Sequence, residues 1–201
     1  MRDIEIVTQT QSDLTTLSDT KDYLEIDDTS QDDILAILIS AASEYMKTET
    51  GFEWVETEYK ELIDGEDTET LILTQKPIIS VESLVIDGDT IGSDNYYIYS
   101  NSGMLKRKDV GVYNVGYLHS FRKGLLFPHG QQNIEVEYTA GYEDVPQDLQ
   151  KAVWSMVNSQ IEGKEYEGLE QYSIGDETIK WRANGLPAEA QQTIMKYKSV
   201  V

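Results

Sequence analysis

The sequence predicts an α+β protein, a helical core of about four helices with a large antiparallel β insertion between its second and third main helices. Three observations predict it. Ile34, Leu35, Leu38, Ile39, Ala42, Tyr45 and Met46 recur at the spacing of one stripe of a helix. Between Phe52 and Tyr142 β-branched and aromatic residues alternate with polar ones, which is the period of strands. The stretch Tyr138-Thr139-Ala140-Gly141-Tyr142-Glu143-Asp144-Val145-Pro146 then reads as the end of a strand, a glycine turn and a proline-started helix. The implied organisation is an N-terminal arm over 1–14, a helical core from 15–51 and 143–201, and a β-rich insertion over 52–142.

Along the chain, Ile4 and Ile6 alternate within a polar start that suits a mobile arm or an added strand. A short helix is expected from Thr16 to Leu24, with Leu17, Tyr23 and Leu24 on one face. Asp27-Asp28-Thr29-Ser30 supplies cap residues for the next helix, Asp32 and Asp33 favour its positive end, and Gly51 stands where a terminating glycine belongs. Strands are expected near Val55 to Ile63, Thr70 to Leu73, Val81 to Ile86, Tyr96 to Tyr99, Met104 to Lys106, Val112 to Tyr117 and Asn133 to Tyr138. Asp64-Gly65, Asp87-Gly88 and Ser102-Gly103 mark turns, and Pro77 belongs at a strand start or edge because it cannot donate to a ladder. Leu149, Val153, Met156, Val157 and Ile161 form the buried stripe of the third helix, with Trp154 at its flank. Gly163 to Lys180 reads as a long loop with short extended pieces, and Pro187 starts a last helix in which Ala190, Ile194 and Tyr197 share a face.

Composition narrows the function. The 201 residues are 39% hydrophobic and 26% charged, too apolar for general disorder and without a run long enough to span a bilayer. A soluble protein with no membrane partner is expected. The first residues lack the basic start and apolar run of a secretory signal. The absence of cysteine excludes disulfides and thiolate metal sites. A net charge of −21 opposes ordinary nucleic-acid binding, which needs cations to replace the counterions on phosphate. The balance reverses between Met104 and Gly130, where Lys106, Arg107, Lys108, Arg122 and Lys123 face a single acid, Asp109. These five cations are either a solvated basic hairpin or a patch that meets the acidic surface of a neighbouring subunit.

Catalytic signals are weak. Neither a Gly-x-x-x-x-Gly-Lys-Ser/Thr nor a Gly-x-Gly-x-x-Gly loop occurs, and His119 and His129 have neither a nucleophile elbow nor a metal-ligand spacing beside them. Asp87-Gly88-Asp89 and Asp64-Gly65-Glu66-Asp67 lack the spaced ligands and closing glutamate of a calcium loop, so hairpin turns explain them. No catalytic residue, metal or cofactor is assigned. Tyr96, Tyr97, Tyr99, Tyr113 and Tyr117 would stack carbohydrate or bases in a binding module, or pack across strands in an ordinary sheet.

The order of the motifs resembles the head-tail connector (adaptor, or head completion) proteins of long-tailed bacteriophages. Tyr23-Leu24, the acids Asp27 and Asp28, and Asp32, Leu35, Ile39, Ala42 and Tyr45 match that family's first two helices. Pro77-Ile78-Ile79-Ser80-Val81 matches the start of its β insertion, and Val136 to Tyr142 with Val145 to Ala152 match its return to helix. Ser173 to Asp176 and a final proline-started helix extend the similarity over Leu17 to Tyr197, while Leu105 to Gly130 has no counterpart.

The resemblance implies a non-enzymatic virion protein at the head-tail interface, made in the host bacterial cytoplasm. It implies a closed ring of about twelve copies beneath the portal, with a central channel for DNA. The expected partners are itself, the portal protein, a stopper or tail-completion protein, and DNA that passes without specific binding. Portal contact falls to the region after the third helix and to the C-terminus, with Trp181, Ile194, Tyr197, Val200 and Val201 as candidates. A core role for Trp181, Ile194 and Tyr197 is the other reading. Truncation after Leu186 is expected to leave a folded chain that no longer docks. The alternatives are a tail-completion or stopper protein, a carbohydrate-binding β-domain and, more distantly, a glycosidase.

Overall fold

The computed structural model describes residues 2–9, 11–108, 126–165, 171–174, 177–180 and 186–198, giving the backbone course alone for 164–165, 171–174 and 177–180. The chain divides into two units, Met1–Gln11 with Phe52–Asp144, and Ser12–Gly51 with Val145–Val201.

The first unit is built on strands β1 (Arg2–Gln9), β2 (Thr57–Gly65), β3 (Thr70–Ile72), β4 (Ile78–Ile86), β5 (Asp89–Thr90), β6 (Tyr96–Tyr99), β7 (Met104–Arg107) and β8 (Gly130–Ala140). Five of them form an antiparallel sheet in the order β1-β2-β8-β4-β5, and three form a second antiparallel sheet in the order β3-β7-β6. The alternation read from the sequence sets the inner face. Every second residue of β2 from Thr57 to Gly65 is buried, and Tyr59 and Ile63 stand opposite Tyr138 and Ile134 of β8. Leu71, Leu105 and Tyr96 of the smaller sheet, with Phe127, complete one apolar core. Each such side chain contributes roughly 1.5–3 kcal/mol on burial.

The N-terminal segment is an added strand rather than an arm, paired with β2 from Arg2 opposite Ile63 to Gln9 opposite Thr57. The first boundary therefore moves. Residues through Gln11 belong with the sheet, and Leu14 belongs with the helices, where it is buried and its N–H donates to Ser43 Oγ. Val55 does not open β2 but forms an isolated parallel bridge to Tyr142, and the strands at Ile78 and Gly130 begin earlier than their alternation suggests. Pro77, after a cis peptide bond, immediately precedes β4, as its missing donor requires. The strand expected at Val112 to Tyr117 lies outside the described residues.

The second unit contains α1 (Leu17–Leu24), α2 (Asp32–Thr50), α3 (Gln147–Glu165), the antiparallel hairpin β9 (Gln171–Ile174) and β10 (Glu177–Lys180), and α4 (Ala188–Lys198). Thr16 caps α1, its Oγ1 accepting the Asp19 N–H at 3.1 Å. The Tyr-Leu pair has a packing reason: Tyr23 stacks on Trp154 of α3 at 4.8 Å, and Trp154 Nε1 donates to Thr15 Oγ1 at 2.8 Å.

The cap of α2 differs from expectation. Gln31 takes that position without a side-chain bond, because Asp28 spends its carboxylate on the Ser30 N–H and hydroxyl one turn earlier. Gly51 closes α2 in the left-handed conformation, its N–H donating to Lys47 O at 2.8 Å. Leu35, Ile39, Ala42 and Met46 are buried as predicted, but Ile34 and Tyr45 are exposed, since the apolar residues of this helix occupy more of its circumference than one stripe. Further on, α3 runs past Gly163, and part of the expected long loop is the β9-β10 hairpin.

Candidate assembly surfaces

β7 alternates its side chains, so the three consecutive cations at Lys106, Arg107 and Lys108 do not form one patch. Lys106 shares the outer face of the small sheet with Thr70 and Tyr97, its cross-strand partners, and its Nζ stands 3.8 Å from Glu69. Lys108 Nζ lies over the Tyr97 ring at 4.6 Å. Arg107 is paired with buried Tyr96, its Nε and Nη1 are shielded from solvent, and burial pulls its pKa downward. Arg107 is thus withdrawn from the proposed subunit contact, while Arg122 and Lys123 lie outside the described residues.

The tyrosines divide in the same way. Tyr96 is core, Tyr97 and Tyr99 are 54% and 46% exposed, and Tyr113 and Tyr117 are outside the described residues. Tyr97, Tyr99, Met104 and Ile72 share the outer face of the small sheet by register. Adjacent exposed side chains of this kind form an apolar surface larger than scattered single residues would.

Of the portal-contact candidates, Trp181, Val200 and Val201 lie outside the described residues. Ile194 and Tyr197 are buried with Ala190 and Thr193 on the inner face of α4, so they hold that helix in place instead of offering anchors on its surface. Tyr197 Oη donates to Asp148 Oδ1 at 2.8 Å, and Lys196 Nζ pairs with the other oxygen. Truncation after Leu186 would remove these core residues, so the expectation of a folded product is corrected.

Burial raises the Asp148 pKa, but the bonds from Lys196 and Tyr197 outweigh it and hold the group below its usual range. A depressed carboxylate contributes stability that is present above its unfolded pKa, about 3.9, and lost as pH falls through the lower folded value. Asp148→Asn should therefore lower the urea midpoint at pH 7 and have a much smaller effect near pH 2. Equal effects at both pH values would show that the charge of Asp148 is not what holds α4.

One functional-looking group was missed by sequence reasoning. Glu61 is fully buried on the inner face of the large sheet, where Oε1 accepts from Thr74 Oγ1 at 2.6 Å and from Arg2 Nε at 3.1 Å. Oε2 accepts from Tyr138 Oη at 2.9 Å and from the Thr74 N–H at 3.1 Å. The signal was available: Tyr59, Glu61 and Ile63 share a parity, so a strand with that inner face must bury the glutamate. Burial, reinforced by the Glu61 charge, raises the Tyr138 pKa and keeps its phenol protonated. With both oxygens fully engaged, this carboxylate is a structural knot that ties β1 to the sheet, not a general base. Among the described residues no three of His, Asp and Glu converge as a metal site would.

The family model for head completion proteins matches residues 13–200. The chain belongs to that family. As a head completion protein it is a structural virion component of the head-tail region. Solved structures share the fold. A chain from the neck of an empty gene transfer agent particle, computed with C6 symmetry, is 15% identical with a TM-score of 0.62. A chain from the virion of the native particle is 16% identical with a TM-score of 0.59, and one from the native neck computed with C12 symmetry is 14% identical with a TM-score of 0.59. In each case 97% of this chain and 94% of the other are covered. No curated protein sequence matches.

Proposed function

We propose that this head completion protein is the head-tail connector (adaptor): it forms a ring of about twelve copies beneath the portal, joins capsid to tail and surrounds the channel for DNA. The observation that carries the reading is the family match over residues 13–200, which takes in all four helices and the β insertion together. The likeness to neck chains of gene transfer agent particles over nearly their whole length supports it, since those chains come from the same part of a phage-like particle.

The charge of −21 is consistent with such a place. An acidic channel wall repels phosphate and leaves DNA free to slide, whereas a basic wall would grip it through counterion release. Portal docking is assigned to the residues on either side of α4, with Trp181, Val200 and Val201 as anchors and Ile194 and Tyr197 acting from beneath by seating the helix. Removing residues 199–201 tests this assignment while leaving α4 whole.

The function is tested by light scattering of the purified chain across a concentration series, alone and mixed with a portal ring. Mass growth to about a dozen copies, either alone or on the portal, is expected of a closed heterologous ring. A monomer indifferent to the portal would overturn the connector role.

A further inference from the structure

The outer face of the β3-β7-β6 sheet has a counterpart on α2. Opposite the buried stripe of that helix, Asp33, Ile34, Ile37, Ala41, Glu44 and Tyr45 fall on one side, and all are exposed, Ile37 at 68%. The sheet face carries Ile72 (59% exposed), Tyr97, Tyr99 and Met104 at its centre, with Lys106 and Lys108 beside them. Both are apolar surfaces with charge at the margin: two lysines beside the sheet face, with Glu69 near Lys106, and the acids Asp33 and Glu44 beside the helix face.

We propose that these two faces meet between neighbouring copies, the small sheet of one chain seating on the outward side of α2 of the next. The inference rests on the ring reading and names its contact. Charge complementarity selects a second copy as the occupant. In a chain with 37 acidic and 16 basic residues, two lysines beside exposed tyrosines are set to receive an acid-rimmed apolar helix, and α2 is one. The two faces are different surfaces of the same chain, so the contact is heterologous, repeats head to tail and can close into a ring. Lysine and tyrosine together would also suit a nucleic acid, but a strongly acidic chain makes that the weaker occupant.

The experiment compares wild type with Lys106→Glu/Lys108→Glu, with Asp33→Lys/Glu44→Lys, and with an equimolar mixture of the two variants, by light scattering on a portal ring and in free solution. Asp33 and Glu44 are exposed and Lys106 and Lys108 half-buried, so circular dichroism checks that each variant keeps its fold. Each variant alone should self-associate about tenfold or more weakly than wild type, and the mixture should recover, because alternating the two variants restores opposite charge at every contact.

Variants that assemble like wild type, or a mixture that fails to recover, would overturn the contact while leaving the ring reading standing. So would an oligonucleotide bound by wild type and lost in Lys106→Glu/Lys108→Glu with assembly unchanged. A wild-type chain that never self-associates would remove the ring reading and this contact together.

Discussion

Replacing Glu61 by alanine should destabilise the β unit by roughly 3–5 kcal/mol, because a buried, fully bonded carboxylate is removed and several donors lose their acceptor at once. The substitution strands the Thr74 N–H, the Thr74 hydroxyl and the Tyr138 hydroxyl inside the sheet, since all three donate to that carboxylate. It also removes the ion pair to Arg2 Nε, so β1 is left with the weaker side-chain tie of Arg2 Nη2 to Ile72 O at 2.6 Å. Glu61→Gln keeps the shape and an acceptor oxygen but sets an NH2 group against one of the donors. It should cost less, roughly 1–3 kcal/mol. Urea unfolding followed by circular dichroism reads both values, and a loss below about 1 kcal/mol for the alanine variant would show that the knot does not hold the strand.

Gly141→Ala should be similarly damaging, at roughly 3 kcal/mol or more, through backbone strain combined with a steric clash. Gly141 has φ +108°, which side chains rarely adopt, and an added Cβ would stand 2.2 Å from Val55 O and 2.6 Å from Val55 C. The close approach is fixed on every side. The Gly141 N–H donates to Pro77 O at 2.9 Å, the Tyr142 N–H to Trp54 O at 3.0 Å, and the Glu56 N–H to Tyr142 O at 3.1 Å. Relief of the clash would pull Tyr142 from Trp54, whose rings lie 6.2 Å apart, so a change in tryptophan fluorescence should accompany the lowered melting temperature. Gly163→Ala is the control of opposite sign. Nothing lies within 4 Å of its added Cβ, and alanine stabilises a helix interior by about 0.5–1 kcal/mol relative to glycine.

Gly141 also shows why so much of this fold could be read from the sequence. The strand end, the glycine and the proline that starts α3 are local signals, each set by backbone conformations accessible to one or two residue types. The inner faces of β2 and β8, the stripe of α3 from Leu149 to Val157 and the stripe of α4 were legible for a similar reason, since period alone separates in from out, while Ile161 is only half-buried. What failed had two causes. Ile4 and Ile6 do not announce that β1 pairs with β2, whose residues opposite them, Glu61 and Tyr59, are distant in sequence. The α2 cap failed through a local competition, since Asp28 turns onto Ser30 two residues on and leaves the cap to Gln31.

The candidate surfaces were less legible. A run of three cations suggested one patch, and strand alternation divided it, turning Arg107 inward and Lys106 outward. Ile194 and Tyr197 were anchor candidates because the family resemblance sends the C-terminal region to the portal, with a core role as the other reading, and their burial on the inner face of α4 favours the core. Ile34 and Tyr45 were counted with the core of α2 because they keep its spacing, and only the neighbouring elements show that this helix has a second apolar side.

The measurement that bears most directly on the connector role is electron imaging of purified portal rings incubated with this chain, averaged along the portal axis. A connector should appear as an added ring of density on one end of the portal, with a repeat of about twelve and an open centre wide enough for duplex DNA. Bare portals, or density on the portal with a closed centre, would contradict that role.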